Sequence, residues 1–411
     1  MEGARTRGHP VALAAIAAMI RRGSPGGVLL VGPSGIGKTT LASDLAAGLL
    51  CTAADPEARP DGTCRACRLV AHGTHPDVHR LGPEGPGRQV VIGGPGKPRG
   101  VRDLIADLAL LPVEGGARVA IVESADRMNE DAQAALLKTL EEPPADTTIV
   151  LCADREEPIL PTIRSRCARV RLGPVGTREI EAILGDAGLA EPPVAARLAR
   201  IADGRPGLAI AWAHKPDALR ERDALGRALL DLTGARASER LSGIRSMATS
   251  AALLIGIGEG STGPLDPGAA VAAGDAKPTR GRRGAKTAVS TPAEAAAAAE
   301  PAASDDATDE PQGPARAPAT ERRKAAEAVL TIWTDVTRDL VLCQRGLDGT
   351  VRDLARLDET RALATVLDPA SLAAFLDRLG RATVMLATNV SPELVLDDLA
   401  LAWPAPRRKV A

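Results

Sequence analysis

Aromatic side chains are almost missing from this chain of 411 residues. It has no tyrosine, one phenylalanine (Phe375) and three tryptophans (Trp212, Trp333 and Trp403), about 1% of the sequence. A core without rings is built from aliphatic side chains, and the abundant Ala, Leu and Val favour helices packed on one another. An excess of charge of one sign is missing too. Lys and Arg number 51 against 52 Asp and Glu, a formal net charge of −1, so no global basic field advertises nucleic acid. Contact with DNA is therefore expected to be local or supplied by partners. No apolar run reaches the roughly 18 residues of a membrane span. The apolar stretch 11–20 ends in Arg21 and Arg22 instead of a small-residue cleavage site, so it reads as part of a first helix over 1–22. Six cysteines, three of them clustered, without a signal peptide predict a reducing, cytoplasmic setting. The length suggests two or three domains.

The chain is organised around residues 28–40. Val28 to Val31 is a short apolar run of buried-strand type. Gly32-Pro33-Ser34-Gly35-Ile36-Gly37-Lys38-Thr39 then fits the phosphate-loop pattern G-x-x-x-x-G-K-[ST] at every required position, and Thr40 leads into an amphipathic helix. The glycines let the backbone wrap a polyphosphate so that amide N–H groups and the helix N-terminus face the anion. Lys38 is placed to neutralise β and γ oxygens, and the Thr39 hydroxyl to ligate Mg²⁺. The expected cofactor is ATP or ADP with Mg²⁺.

Downstream lie Cys51, Cys64-Arg-Ala-Cys67 and His72-Gly-Thr-His75-Pro-Asp77-Val-His79, then a Gly- and Pro-rich loop over 82–100. The spacing predicts helices over 102–110 and 129–142, the second stopped by Pro143-Pro144, and strands over 117–122, 147–152 and 169–172. Strands alternating with helices imply an α/β domain with a parallel sheet and the nucleotide at its C-terminal edge. From Thr177 onward the pattern is helical. Residues 259–320 break it: few large apolar side chains, an Ala run, a basic knot at Arg280 to Arg283 and an acidic patch at Asp305 to Glu310. Such a composition cannot bury enough surface to offset chain entropy and predicts a disordered insert.

Ala135-Leu-Leu-Lys-Thr-Leu-Glu-Glu-Pro-Pro144 followed by Ser165-Arg-Cys167 resembles the clamp-loader branch of the AAA+ ATPases. The cysteine group with Gly73-Thr-His-Pro-Asp77 narrows the resemblance to the bacterial subunits, and the closing 389–396 is similar to the delta-prime subunits of DNA polymerase III. It spans residues 9–258 and 322–403. The resemblance implies an AAA+ nucleotide-binding domain over 1–172, with a zinc-binding-like module inserted at 51–79. A helical lid over 173–213 and a helical collar over 214–258 plus 321–411 would follow. It implies a heteropentamer with gamma/tau and delta subunits that opens a sliding clamp and loads it on primer-template DNA.

Family members usually carry four cysteines. Cys51, Cys64 and Cys67 match three of them, and Asp61 stands at the fourth position. Zinc accepts carboxylate oxygen as well as thiolate, so Cys51, Asp61, Cys64 and Cys67 form a candidate structural zinc site, with His72 or His75 as substitutes. The Asp-Glu that ends the second strand of a working motor reads Glu123-Ser124, a degenerate form without the water-orienting carboxylate; Asp126 lies two residues on. Gly207 falls where the motor's lid arginine would be, with Arg205 nearby. Arg166 of Ser-Arg-Cys is the resemblance's arginine finger, acting in trans on a neighbour's ATP. The implied role is a stator with little or no intrinsic ATPase activity. The alternative, a gamma/tau-type motor, is favoured by the intact Lys38-Thr39.

Overall fold

The computed structural model describes residues 1–83, 89–94, 97–114, 116–255, 318–386 and 390–406. Nearly all of the expected insert at 259–320, with its basic and acidic runs, lies outside the described residues, as does Asn389. Met1–Leu265 and Ala319–Ala411 form one compact unit.

The chain begins without a helix. Helix α1 covers Pro10–Arg22 and not 1–22 as the composition suggested. The reason is local: the N–H groups of Arg5 and Thr6 go to the Asp44 carboxylate at 3.0 and 2.8 Å instead of to carbonyls one turn back. Burial pushes the Asp44 carboxyl up, against the lowering effect of those same hydrogen bonds. Strand β1 (Gly27–Val31) and helix α2 (Lys38–Leu50) flank the phosphate loop. Then come α3 (Arg65–Ala71), β2 (Val78–Leu81), α4 (Val101–Ala109) and β3 (Arg118–Val122). Helix α5 (Glu130–Glu141), capped by the Asn129 side chain on the Ala132 N–H at 2.9 Å, leads to β4 (Thr147–Ala153). Helix α6 (Pro161–Arg166) and β5 (Ala168–Arg171) close the sheet. Strand β2 was hidden in the sequence by its histidine and arginine, which sit on the half-buried edge of the sheet.

The five strands run in the order β2-β3-β4-β1-β5, all parallel. Along β1, Val28 and Leu30 join α1 and α2 through Ile16, Leu41 and Leu45, whereas Leu29 joins α4 and α5 through Leu104, Leu108 and Leu136. Both faces are covered, which is why this strand reads as an unbroken apolar run.

The rest is helical. Helices α7 (Thr177–Asp186), α8 (Pro192–Ala202) and α9 (Pro206–His214) lie in the span expected for the lid; α10 (Pro216–Asp231), α11 (Ala237–Ser250), α12 (Ala319–Gln344), α13 (Leu357–Val366), α14 (Pro369–Leu386) and α15 (Pro392–Ala402) lie in the span expected for the collar. Helix α12 begins at Ala319, two residues inside the span assigned to the insert. Lid and collar share one apolar core, in which Ile180, Leu184 and Leu198 are continuous with Leu225, Leu229, Trp333 and Leu379. Three of the few aromatic rings gather there: Trp333, Phe375 and Trp403 stand 4.8–5.4 Å apart, tilted or edge-on. A buried ionic cluster joins the same helices. Arg222 bonds Asp353 at 3.2 Å and Asp335 at 3.1 Å, and Arg197 of the lid reaches Asp223 at 2.7 Å. Removing one partner of such a set leaves an uncompensated charge, a loss of about 3–5 kcal/mol.

Candidate functional site: the phosphate loop and its surroundings

The phosphate loop runs from Gly32 to Gly37 at the C-terminal end of β1. Both immediate neighbours of β1 in the sheet come later in the chain, so a crevice opens at this edge. Gly37, the residue before α2, has φ +109°, a conformation that side chains avoid, and it turns the loop into the helix. His9, buried at the start of α1, has its Nε2 2.9 Å from the Ile36 carbonyl, which ties the N-terminal segment to the loop.

Lys38 is 8% exposed. Its Nζ donates to the carbonyls of Gly32 at 2.7 Å and Pro33 at 2.9 Å and to the Asp154 carboxylate at 2.7 Å. Asp154, which the sequence reading passed over, is the residue after β4. The only advance signal was its place at the end of a buried strand.

Glu123 follows β3, half-buried, with its carboxylate 3.5 Å from Arg80. Burial pushes its carboxyl up, and Arg80 opposes the shift. Ser124 has φ +54°, an uncommon value for a residue with a side chain. The turn that follows brings Asp126 round so that its Oδ1 accepts the Asp154 N–H at 3.2 Å. The Asp126 carboxyl is likewise raised by burial, with the nearby Asp154 charge adding to the effect. A carboxylate thus stands beside the loop although the second-strand motif ends in serine.

The lid reaches the loop through Gly207, whose N–H donates to the Gly35 carbonyl at 2.8 Å. Arg205 does not turn to the phosphate loop in its place: its Nε bonds the Ala202 carbonyl at 3.1 Å, and the guanidinium lies in the field of Asp335 and Asp203. Arg166, at the end of α6, bonds the Thr162 carbonyl at 3.0 Å and pairs with Glu141 at 2.6 Å, with about a third of its side chain exposed. Cys167 is buried and its thiol is pushed up to about 11 by desolvation, as fits a small core residue.

The cysteine cluster assembles between the end of α2 and the start of α3. Potential ligand atoms of Cys51, Asp61, Cys64 and Cys67 all lie within 4.8 Å of one another. The Cys51 and Cys64 sulfurs are 3.9 Å apart, and a tetrahedral ion with Zn–S of about 2.3 Å requires roughly 3.8 Å. One Asp61 oxygen accepts the N–H groups of Thr63 and Cys64 at 2.9 and 3.0 Å, which orients the carboxylate and holds it well below the usual range. Burial opposes ionisation of the Cys64 thiol, but hydrogen bonds from Cys67 and Thr52 outweigh it and lower its pKa. The residues fit a Cys₃Asp zinc site. His72 and His75 are engaged elsewhere: the His72 Nδ1 is 2.7 Å from the Arg68 carbonyl, and the buried His75 accepts the Asp77 N–H at 3.1 Å.

A parallel sheet ordered 2-3-4-1-5, a phosphate-loop sequence after its first strand and helices that reach that loop define a domain of the AAA+ fold. Residues 9–176 match the family described as DNA polymerase III, delta subunit. The chain is 43% identical over 141 residues to DNA polymerase III subunit delta' of Pseudomonas aeruginosa, covering 34% of this chain and 41% of that protein. It is 36% identical over 197 residues to subunit delta' of Escherichia coli, covering 47% and 56%. Subunit tau of Salmonella typhimurium is 32% identical over 181 residues, 43% of this chain and 27% of that one. These matches support a clamp-loader subunit of the delta-prime type. The matched segments span 39–56% of the delta' relatives' own length, and the family match ends before α7. A solved gamma-subunit-related protein of Thermotoga maritima overlays 95% of this chain and 98% of its own at a TM-score of 0.41 and 16% identity. The assignment of fold rests on the strand order and the loop, not on that overlay. No helix among the described residues is long and apolar enough to cross a membrane.

Proposed function

We propose that this chain is the stator of a DNA polymerase III clamp loader: it holds nucleotide without turning it over and lends Arg166 to a neighbour's ATP. The observation that carries the reading is the contrast within one site. The phosphate loop is complete, while Ser124 occupies the position of the water-orienting carboxylate and Gly207 that of the lid arginine. Residues 32–40 would take ATP or ADP with Mg²⁺, the Thr39 hydroxyl holding the ion and Lys38 the phosphates. Arg166 lies at a surface helix end, where exchange of Glu141 for a partner's phosphate exposes no core. A guanidinium presented there stabilises charge in the neighbour's transition state. The collar helices would join gamma/tau and delta subunits in a heteropentamer that opens the sliding clamp and loads it on primer-template DNA. Bound zinc would fix the 51–67 loop against α2 and supply no open coordination position.

A gamma/tau-type motor is the second reading, favoured by the intact Lys38-Thr39 and by the position of Asp126 near the loop. ATPase assays on the isolated chain and on the reconstituted loader decide between them. The stator gives negligible turnover alone and supports turnover in the assembly. Robust hydrolysis by the isolated chain, abolished by Lys38→Ala, establishes the motor.

A further inference from the structure

The surroundings of Lys38 carry an inference beyond nucleotide binding as such. A lysine ammonium has three N–H donors and no acceptor. The structure gives Lys38 three oxygen partners: the Gly32 and Pro33 carbonyls and the Asp154 carboxylate. Its donors are therefore all committed within the protein, and a polyphosphate engages the ammonium only by displacing one of these oxygens. Two of them are main-chain atoms of the loop itself. The third is on a rotatable side chain, 39% exposed, and carries the charge that matches the lysine.

The register of the sheet forces this arrangement. Val31 pairs with Ala153 across β1 and β4, and the Gly32 N–H donates to the Ala153 carbonyl at 3.2 Å. The first residue of the phosphate loop and Asp154 therefore leave the sheet side by side. Asp126 anchors the main chain of Asp154 through the N–H at 3.2 Å, so the carboxylate is delivered to one place.

We propose that Asp154 is an internal competitor for phosphate, and that it sets the affinity of the loop for nucleoside polyphosphates. The carboxylate takes the charge-assisted bond that a β or γ oxygen would otherwise take. When displaced, it remains beside the bound anion and repels it. The loop thus has the full phosphate-binding sequence and a weakened hold on its ligand. This rests on the reading of residues 32–40 as a nucleotide site.

The test is calorimetric titration of the full-length chain with MgATP. Asp154→Asn keeps the size of the side chain and removes its charge. It is expected to bind MgATP at least tenfold tighter than the wild type, and the gain is expected to be smaller when Asp154→Asn is made in Lys38→Ala, where only the repulsion is relieved. A merely structural role for Asp154 predicts a loss of affinity instead. Equal or weaker binding by Asp154→Asn, with Lys38→Ala still weakening the wild type, overturns the competitor while leaving the nucleotide site standing. No binding by the wild type or by Asp154→Asn at millimolar MgATP overturns both. If Asp154→Asn is poorly folded, Asp154→Ser is titrated in the same way and read by the same criteria.

Discussion

Gly207 and Gly35 meet backbone to backbone, the lid helix α9 donating its N–H to the carbonyl at the crown of the phosphate loop at 2.8 Å. A side chain at either position would be tight. A Cβ on Gly207 would stand 3.0 Å from the Gly35 oxygen, and Gly35 itself has φ +76°. Gly207 thus brings the start of α9 directly onto the loop.

Gly207→Val should unseat the lid. Overpacking against main chain costs about 1–3 kcal/mol, and the loss should fall locally, because α7 and α8 remain in the shared lid and collar core. Hydrogen exchange is expected to speed up roughly tenfold or more for the first turn of α9, with the amides of β1 and β4 unchanged. Unchanged exchange in α9 would mean that the contact holds nothing in place.

Arg166→Ala tests the contribution in trans. Its intramolecular partners are one carbonyl and Glu141 at the surface, so stability of the isolated chain should change by less than about 1 kcal/mol. Loader assembly should be intact. Single-turnover hydrolysis at the neighbouring site should fall by about 10³-fold or more. Lysine should rescue poorly, because it lacks the planar fork that meets two phosphate oxygens. Equal rates at every site in the mutant loader would reduce Arg166 to a surface charge.

Metal analysis of the purified chain should give about one zinc per molecule, as a single closed four-ligand site requires. Cys64→Ser should release it, and chelation should make residues 51–71 protease-sensitive while the sheet persists. Asp61→Asn should weaken zinc by about 10–100-fold, since it removes the one anionic oxygen of the set. A chain free of zinc after purification in zinc-supplemented buffer, and equally stable with and without added zinc, would show a metal-free relic.

The collar should carry an acid-sensitive contact. The Ser391 hydroxyl donates to Glu393 at 2.6 Å, and Arg322 pairs with the same carboxylate, which together hold it down at about 2. A depressed carboxyl stabilises the fold above its unfolded pKa, near 4.5, and that contribution is lost as pH falls towards 2. With the side chain about a third exposed, the effect is on the order of 1 kcal/mol after screening. In denaturant titrations between pH 5 and 2.5, Glu393→Gln should therefore lose less stability than the wild type. Parallel curves would show that the contact contributes nothing.

Much of the first domain was legible from local pattern alone. The run 28–31, the phosphate loop and the 129–142 helix, with its Asn129 cap and Pro-Pro stop, are short-range signals whose physics is complete within a few residues. The cysteine spacing likewise pointed to a cluster, and in the fold Asp61 lies with Cys51, Cys64 and Cys67. What the amino-acid order could not show was where distant residues meet. Asp154 has no motif of its own; it reaches Lys38 because β4 pairs with β1 in a register that only the assembled sheet defines. Arg205 stands near the expected place of a lid arginine in the sequence, yet its guanidinium is held in the field of Asp335 of the collar and Asp203 of the lid itself. Nor could the amino-acid order show that one apolar core spans helices of both the lid and the collar that are more than a hundred residues apart in the chain. Local hydrogen-bonding and packing preferences write secondary structure and the phosphate loop into the sequence. Charge pairing across strands and helices is settled only when the tertiary fold puts the partners within a few ångströms.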